Sequence, residues 1–474
     1  MLFNSIIFII FSIVFFSFFW IIKKQKKQIF WAYIILFSFI FYGWWDWRFL
    51  FLIILSGFID FFAGKLIYQF PKYKKYFLFL SLVGNIGILG LFKYSRFILE
   101  QIELLLYYCD INVELIENIP EFIYVLPIGI SFYTFQSMSY TIDIYRGDLV
   151  PTNNVLKFFA YLSMFPQLVA GPIVRSKTLM PQLERLKLTN EIERWHGLKL
   201  IVFGFFKKVL LADNIAPLVN TAFVDINKTD SSLYWWMVML GFSFQIYLDF
   251  SGYTDIARGL AKWMGFHFKM NFNHPYLSSS LREFWRRWHI SLSTWFRDYV
   301  YIPLGGSKKG RFRSHLNMWI TMIISGFWHG ASWNFIIWGC LHAIYLSIER
   351  LLKWPKMFNK VLTEKFAVLF IMIQIILAWV FFRAQSISDS LKILRNMLYL
   401  NTDMDFKLNV DIKNGLYFVL FAVIIEYGLL KFKLRNIITN KRTLYYLEIA
   451  LLAVIVSFTI FLRGKGHEFI YFQF

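Results

Sequence analysis

Residues 2–27 read LFNSIIFIIFSIVFFSFFWIIKKQKK, a long apolar run that ends in four lysines. About 20 apolar residues in a helix are enough to cross the hydrocarbon core of a bilayer. The run is too long for the apolar core of a signal peptide, lacks a small-residue cleavage site and has its charges afterwards. We therefore expect a retained membrane span. Because cytoplasmic loops carry the excess of Lys and Arg, Lys23, Lys24, Lys26 and Lys27 place the next loop in the cytoplasm and the N-terminus outside.

Apolar runs of similar length recur along the whole chain. They cover about residues 29–45, 47–64, 76–92, 122–141, 198–212, 232–248, 332–348, 366–383, 414–430 and 444–462. The basic loops 65–75 and 431–442 are predicted to be cytoplasmic, whereas the stretch 386–412, with Asp389, Asp403 and Asp405, is predicted to lie outside. We predict an all-α, polytopic integral membrane helix bundle with about ten to eleven full spans. Short re-entrant and interfacial helices should surround a central cavity, and both termini should be extracytoplasmic.

The composition excludes most other classes of protein. Hydrophobic residues make up 58% of the 474 residues and charged residues 17%, against roughly 45–50% and about 25% in soluble proteins. Two cysteines, Cys109 and Cys340, cannot support a disulfide scaffold. The net charge of +21 indicates basic loops that face anionic lipid headgroups, and no nucleic-acid partner is expected. No repeat or linker is evident, so residues 1–474 are predicted to form one membrane domain with a motif-bearing core at about 122–350.

The middle of the chain has a different pattern. Between about 143–197 and 249–330 the apolar runs are short and are broken by charges and by Pro166, Pro172, Pro275 and Pro303. Irregular backbone at membrane depth is tolerated only where protein or a water-filled cavity surrounds it. The functional residues are therefore expected in these two regions.

Residues 281–302 carry two stripes at helical spacing and predict one amphipathic helix of about 22 residues. The apolar stripe consists of Leu281, Trp285, Trp288, Leu292, Trp295, Tyr299 and Ile302. The second stripe, about 115° around the helix, consists of Arg282, Arg286, His289, Ser293 and Arg297. Such a helix lies at the membrane interface or lines a cavity. His289 is accordingly either an ordinary interfacial residue or part of a site.

The next loop, residues 305–313, reads GGSKKGRFR. It is not a phosphate-binding P-loop, because Gly310 is followed by Arg311 rather than by Lys and a hydroxyl residue, and because helices flank it. Lys308, Lys309 and Arg311 form either an ordinary cytoplasmic loop or a contact for the phosphates of a nucleotide-bearing donor.

His329 follows an apolar run, residues 315–327, that is only about 13 residues long. As a helix this run reaches roughly 20 Å, less than the bilayer core of about 30 Å. His329 should therefore lie near mid-membrane, where ionisable residues are costly and are candidates for function. Burial should keep its imidazole neutral, the form that a general base needs. The alternative is a core histidine that hydrogen-bonds between helices.

Several residues are predicted to surround this histidine. Gly326 and Gly330 indicate a close approach of backbone or substrate. Ser325, Trp328, Asn334 and Asp249 are candidate cavity-lining residues.

Other arrangements of reactive residues are weaker. Asp249 and Asp255 could orient a histidine, although pairing with Arg258 or another arginine is favoured. The histidines lack the short spacings of a zinc site, so no metal is expected. No Gly-x-Ser-x-Gly motif occurs, so a self-contained serine hydrolase would have no obvious nucleophile.

Motifs spread over nearly the whole chain resemble the membrane-bound O-acyltransferase family, in particular the membrane subunits of bacterial alginate and peptidoglycan O-acetyltransferases. They are residues 1–5 (MLFNS), 41–46 (FYGWWD), 126–136 (LPIGISFYTFQ), 169–173 (VAGPI), 246–259, 272–306, 325–338 and 469–474 (FIYFQF). The resemblance implies that His329 is the near-invariant catalytic histidine and that His289 occupies the second functional position.

The resemblance also implies a reaction. Acetyl-CoA would be the donor, with Arg282, Arg286 and Arg297 beside His289 and the 305–313 loop as contacts for it. The protein would lie in the bacterial cytoplasmic membrane, among membrane lipid. It would pass acetyl to an extracytoplasmic polysaccharide through a separate serine-esterase-type acetyltransferase.

Three questions stay open at this stage. A chain rich in Phe, Ile and Lys is typical of an AT-rich genome and favours peptidoglycan over alginate as the polymer. The D-alanyl transfer protein of teichoic-acid modification belongs to the same family and is the nearest alternative. A carrier or flippase that has no enzyme activity is the alternative from another class of protein.

Overall fold

The structure, a computed structural model, describes residues 1–169, 171–186, 189–354, 361–399, 410–431 and 442–472. Within these ranges the regular elements are helices, with no strand. This agrees with the predicted all-α class. Residues 432–441 of the predicted basic loop, and Asp403 and Asp405 of the predicted outer stretch, lie outside the described residues.

The chain divides into two compact units, of which the first comprises residues 1–197 and 257–269. Its helices are α1 Ile6–Ile22, α2 Lys27–Asp46, α3 Leu50–Gln69, α4 Lys74–Leu89, α5 Ser95–Tyr107, α6 Glu121–Tyr124, α7 Ile130–Arg146, α8 Val155–Leu162, α9 Phe165–Leu168, α10 Ser176–Arg185 and the start of α11 Glu191–Phe205.

The second unit comprises residues 198–256 and 270–474. After α11 its helices are α12 Asp213–Val224, α13 Ser232–Met264, whose last turns belong to the first unit, α14 Leu281–Arg287, α15 Ile290–Phe296, α16 Gly310–His329, α17 Trp333–Leu352, α18 Val361–Arg383, α19 Ile387–Leu398, α20 Val410–Lys431 and α21 Arg442–Phe461. Wider π-helical turns occur at Phe206–Ala212, between α11 and α12, and at Arg297–Tyr301, after α15.

Four helical segments of the described residues are long and apolar enough to cross a membrane. They are Lys27–Gln69, Pro71–Tyr107, Trp333–Leu352 and Thr363–Arg383, with shorter apolar helices at Ile6–Ile22 and Tyr446–Phe461. The predicted count of ten to eleven spans stays a prediction, as does the orientation of the termini.

In the first unit, α1 buries one face of phenylalanines. Phe8, Phe11, Phe15 and Phe19 recur every three or four residues, so they share one side of the helix and are buried. The rings of Phe11 and Phe15 lie 5.2 and 5.0 Å from that of Phe165 in α9. Residues 6–22 of the apolar run thus form a helix that packs a single face inward, and its role as a membrane span stays a prediction.

The same unit contains a buried polar cluster that the sequence analysis did not single out. Asp60 of α3 is fully buried, and its carboxylate accepts hydrogen bonds from Ser81 Oγ at 2.5 Å and from Asn85 Nδ2 at 2.9 and 3.0 Å, both in α4. Ser81 Oγ also lies 3.0 Å from Thr141 Oγ1 in α7. The cluster joins three helices, since hydrogen bonds between buried polar side chains stabilise helix contacts in membranes.

In the second unit, α16 and α17 cross at glycines. A Cβ on Gly326 would lie 2.2 Å from the Phe335 carbonyl oxygen, and one on Gly339 would lie 2.5 Å from that of Met322. A Cβ on Gly330 would lie 2.1 Å from the Phe335 ring. The predicted close approach at Gly326 and Gly330 is therefore confirmed, and the approaching groups belong to α17.

Helix α16 is longer than the apolar run that predicted it. It begins at Gly310, five residues before the run 315–327, and ends at His329. Residues 310–315 (GRFRSH) extend the same helix, while the apolar part from Leu316 to His329 keeps a length of about 20 Å.

Candidate active site

His329 ends α16 inside a cage of aromatic rings. It is 4% exposed, and its imidazole lies 5.0 Å from the Trp328 ring, 5.1 Å from Trp338 and 5.2 Å from Phe382, all near edge-to-face. Gly330 follows in an extended conformation, so the helix stops at the histidine. The contact with Phe335 leaves no room for a side chain at Gly330. The histidine is therefore held on a helix end by two neighbouring helices, α17 and α18.

His289 does not lie within a continuous helix, so the prediction of one helix over 281–302 is wrong. Trp288 is extended, and His289 adopts a left-handed backbone conformation with φ of 40°, which separates α14 from α15. The reason is competition for backbone hydrogen bonds from residues 271–273. The Ile290 N–H donates to the Asn271 carbonyl at 2.9 Å, and the Asn273 N–H donates to the Arg287 carbonyl at 2.9 Å. These bonds replace helical ones.

Asn271 also holds the start of α15 through its side chain. Its Oδ1 accepts hydrogen bonds from the Ser291 backbone N–H at 3.0 Å and from Ser291 Oγ at 2.9 Å. The backbone break therefore has a buried clamp on its C-terminal side, and the clamp fixes where the His289 side chain projects.

The break rotates His289 into the interior while the arginines of its predicted stripe stay outside. The imidazole is fully buried, with its ring 4.7 Å from Phe250, and its Nδ1 accepts the Leu292 backbone N–H at 3.4 Å. The residue lies between two seven-residue helices, outside the four segments that are long and apolar enough to cross a membrane. Burial lowers the pKa of the His289 imidazole to about 3, so the ring is neutral at physiological pH.

Tyr471 lies against both histidines. Its ring centroid is 5.8 Å from that of His329 and 6.4 Å from that of His289. Trp328 likewise contacts both imidazoles, at 5.0 and 6.5 Å. The two histidines, 40 residues apart in sequence, thus share two aromatic neighbours and form one cluster.

Tyr471 is not among the site residues predicted from the sequence. Residues 469–474 contribute there only to the family resemblance, and nothing in their order indicates that this segment contacts the two histidines. A polar ring inside an aromatic run, after the last apolar helix, is the one local signal that could have identified it.

Asp249 forms an ion pair rather than orienting a histidine. Its Oδ1 lies 2.8 Å from Lys208 Nζ, which also lies 2.9 Å from Asp213 Oδ1. For Asp249 the favoured prediction of an arginine partner is wrong, because the π-helical turn at 206–212 brings Lys208 to this position. Asp255 pairs with a different lysine, Lys207, at 3.0 Å.

The other candidate cavity-lining residues lie on α16 and α17. Ser325 is buried one turn before His329, and Trp328 is 4% exposed. Asn334 is buried and donates from Nδ2 to the Ala384 carbonyl at 2.8 Å, which ties the start of α17 to the end of α18. Their role as cavity lining stays a prediction.

The predicted donor-binding cations are exposed and fall into two groups. Arg282 and Arg286 lie one turn apart on α14, and Arg297 pairs with Asp298 at 2.7 Å. The second group lies at the N-terminal end of α16 and consists of Lys308, Lys309 and Arg311. His329 is at the other end of this helix, about 27 Å away along its axis.

The 305–313 loop, which carries Lys308, Lys309 and Arg311, is held by a hydrogen bond near its start. Gly305, Gly306 and Gly310 adopt positive φ, and the Gly306 carbonyl accepts a hydrogen bond from the buried Asn317 Nδ2 at 3.0 Å. In the part of the chain that the structure describes, no group of three or more His, Cys, Asp or Glu side chains could hold a metal ion.

Comparison with known proteins gives the family of the chain. The model of the membrane-bound O-acyltransferase family matches residues 127–391, which include His289 and His329. The chain belongs to this family. It is therefore an acyltransferase, and the predicted resemblance is confirmed.

Two curated relatives match most of the chain at the same identity. A protein named "Probable alginate O-acetylase AlgI" from Pseudomonas aeruginosa is 36% identical over 415 residues, which is 83% of this chain and 75% of the relative. A peptidoglycan O-acetyltransferase from Helicobacter pylori is 36% identical over 400 residues, 78% of this chain and 74% of the relative.

A teichoic acid D-alanyltransferase from Bacillus subtilis is more distant. It is 29% identical over 244 residues, which cover 49% of this chain and 61% of the relative.

Proposed function

We propose that this acyltransferase moves acetyl from acetyl-CoA toward the hydroxyl groups of an exported polysaccharide, with His329 as general base and His289 as its partner in the site. The observation that supports this most directly is the cluster itself. Two buried imidazoles from distant parts of the sequence pack against the same tyrosine and the same tryptophan.

The proposed step is proton abstraction followed by acyl transfer. A hydroxyl loses its proton to the His329 imidazole, and its oxygen attacks the carbonyl carbon of the acetyl thioester. The carbon–sulfur bond then breaks, and the CoA thiolate takes the proton from the imidazolium. Burial suits this role, because a desolvated imidazole stays neutral until it accepts the proton.

His289 is proposed to position the donor or assist the proton transfer. We expect His289→Asn to keep partial activity, because an amide can replace the imidazole as hydrogen-bond acceptor for the Leu292 N–H. His289→Ala should lose activity, since it leaves that N–H buried without the bond. Initial rates of acetyl transfer by the purified variants test this. Equal loss in both variants would instead indicate a direct acid–base role.

The 305–313 loop is proposed to bind the phosphate end of the donor. Replacing Lys308, Lys309 and Arg311 together by Gln should raise the KM for acetyl-CoA several-fold with little change in kcat, because the same contacts exist before and during the reaction. Steady-state kinetics over a range of donor concentrations measure both constants. The control is the single substitution Lys262→Gln, which removes a cation in the other unit. An unchanged KM in the triple variant would remove the loop from the donor site.

The acceptor polymer is proposed to be peptidoglycan. The two relatives named for alginate and for peptidoglycan are equally identical to this chain, so identity does not choose between them. The preference rests on the Phe-, Ile- and Lys-rich composition, which is typical of an AT-rich genome. Supplying each polymer in turn to the reconstituted pathway and measuring ester-linked acetate tests the preference.

A second, extracytoplasmic protein is proposed to complete the pathway. The apolar part of α16 gives His329 a depth of about 20 Å from the loop side, so roughly 10 Å of hydrocarbon core remains beyond it. A polysaccharide does not enter hydrocarbon easily, because its many hydroxyls would lose their hydrogen bonds to water. We therefore infer that a serine-esterase-type acetyltransferase receives acetyl outside and passes it to the polymer.

Release of coenzyme A separates this proposal from a carrier or flippase. The purified protein, supplied with acetyl-CoA and a small alcohol acceptor, should release free thiol, which a colorimetric thiol reagent measures. A carrier would bind or move its cargo without breaking the thioester. Thiol release at the rate of a protein-free control would contradict the proposal.

A further inference from the structure

A buried cluster of three charges lies beside the histidine site. Lys208, Asp213 and Asp249 are 1%, 1% and 3% exposed, and the single ammonium lies within 2.9 Å of both carboxylates. Removing three charges from water is costly, and a buried ion pair is often no more stabilising than well-packed apolar residues. Stability alone therefore does not explain why these three charges are buried together.

The cluster binds one other segment, residues 462–472, through its backbone. Lys208 Nζ donates to the His467 carbonyl at 3.1 Å, and Asp249 Oδ2 accepts the Ile470 N–H at 2.8 Å. Both bonds are made by residues within the four positions that precede Tyr471. Lys208 and Asp249 thus bind the backbone on either side of Phe469, which is fully buried.

The path of this segment is restricted upstream as well. The Gly464 N–H donates to the Val209 carbonyl at 3.1 Å, and a Cβ on Gly464 would lie 2.6 Å from the backbone of Asp213. Asn214 Nδ2 donates to the Leu462 carbonyl at 2.8 Å. The π-helical turn and the start of α12 therefore hold the segment before it reaches the ion cluster.

We propose that Lys208 and Asp249 are positioning residues that hold Tyr471 between the two histidines. They touch neither imidazole in the contacts described above, and they act through the backbone of residues 467 and 470. The inference rests on the proposed function, because it gives the ion cluster a role in acyl transfer. It concerns the location of the segment, which can be measured without any activity.

The test is chemical labelling of a cysteine on the segment. Ile470→Cys is placed in a chain in which Cys109→Ser and Cys340→Ala remove the native thiols. Cysteine keeps the backbone N–H that binds Asp249, and the side chain at position 470 is 1% exposed. Its reaction with a maleimide should be slow in this background and at least about tenfold faster when Lys208→Met is added, because the segment opens locally.

Two controls distinguish local release from general loosening. Val238 of α13 is fully buried in the same unit, and Val238→Cys should keep its labelling rate when Lys208→Met is added. Lys207 is the adjacent lysine, and it pairs with Asp255. Lys207→Met should not change labelling at position 470.

Asp249→Asn is the second variant, used also if Lys208→Met does not fold. It keeps an acceptor for the Ile470 N–H and removes the charge, so labelling at position 470 should rise by a smaller factor than in Lys208→Met. In both variants kcat for acetyl transfer should fall while the KM for acetyl-CoA stays within about twofold of the parent value, because the donor contacts are elsewhere.

The outcomes are separable. Unchanged labelling at position 470 in a folded Lys208→Met or Asp249→Asn variant overturns the inference, and so does equal acceleration at positions 470 and 238. If labelling at 470 alone increases but Tyr471→Phe keeps full activity, the ion cluster positions the segment, and the part of the inference that gives the cluster a role in acyl transfer fails.

Discussion

We expect His329→Ala to abolish acetyl transfer while the protein still folds. A positioned general base contributes about 10²–10⁴ in rate. Among the residues that the structure describes, no other buried imidazole ends a helix inside the cluster. The variant also removes packing against Trp338 and Phe382, so some loss of stability is expected. Initial rates at saturating acetyl-CoA and the melting temperature of the purified protein measure the two effects separately.

His342→Ala is the matched control for this variant. His342 is 1% exposed, and its ring lies 4.7 Å from Trp338, whereas that of His329 lies 5.1 Å from the same ring. Both substitutions delete a buried imidazole beside one tryptophan, so their melting temperatures should fall comparably. Transfer should persist only in His342→Ala. Retention of more than about a tenth of wild-type transfer by His329→Ala would contradict its assignment as general base.

Tyr471→Phe should lower transfer by about a hundredfold or more, the scale seen when one hydrogen-bond donor to a developing oxyanion is removed. Phenylalanine keeps the ring that packs 4.4 Å from Phe250, so only the hydroxyl is removed. A phenol beside two imidazoles can donate a hydrogen bond to the developing oxyanion. Once an imidazole has taken the phenol proton, the phenolate oxygen of Tyr471 can also accept the acetyl group itself. Both roles require the hydroxyl.

Tyr276→Phe is the control for loss of a buried hydroxyl in the same unit. The Tyr276 hydroxyl donates to the Ser243 carbonyl at 2.6 Å, so its removal should cost stability and preserve transfer. Mass spectrometry of the peptide that contains Tyr471, after incubation with acetyl-CoA alone, distinguishes the two roles of the phenol. Wild-type rates in Tyr471→Phe would show that the residue contributes packing only.

Local patterns predicted the membrane class and much of the helical structure, because the length and apolar content of a run do not depend on distant residues. The run 2–22 forms α1, and most of the predicted apolar stripe on 281–302 is buried, including Leu281, Trp288 and Leu292. The same stripe predicted one helix wrongly. The bonds that break it come from Asn271 and Asn273, whose effect no helical periodicity within 281–302 can reveal.

The composition of the site was predictable only in part. Both histidines were named from sequence and family resemblance, and the structure places them in one cluster. Tyr471 and the pairing of Asp249 with Lys208 could not be derived in this way. They depend on a segment that returns over 140 residues after His329, and on a π-helical turn that shifts the register of Lys208.

Reconstitution in liposomes with each reactant on one face tests whether acetyl crosses the membrane through this protein. Liposomes contain the protein in one orientation, with acetyl-labelled acetyl-CoA supplied only on the face that carries the 305–313 loop. Polysaccharide and the candidate extracytoplasmic acetyltransferase are present only on the other face. We expect labelled ester on the polysaccharide when both proteins are present, and none with His329→Ala or without the second protein. Polysaccharide acetylation without the second protein, or use of donor from the far face, would contradict the account.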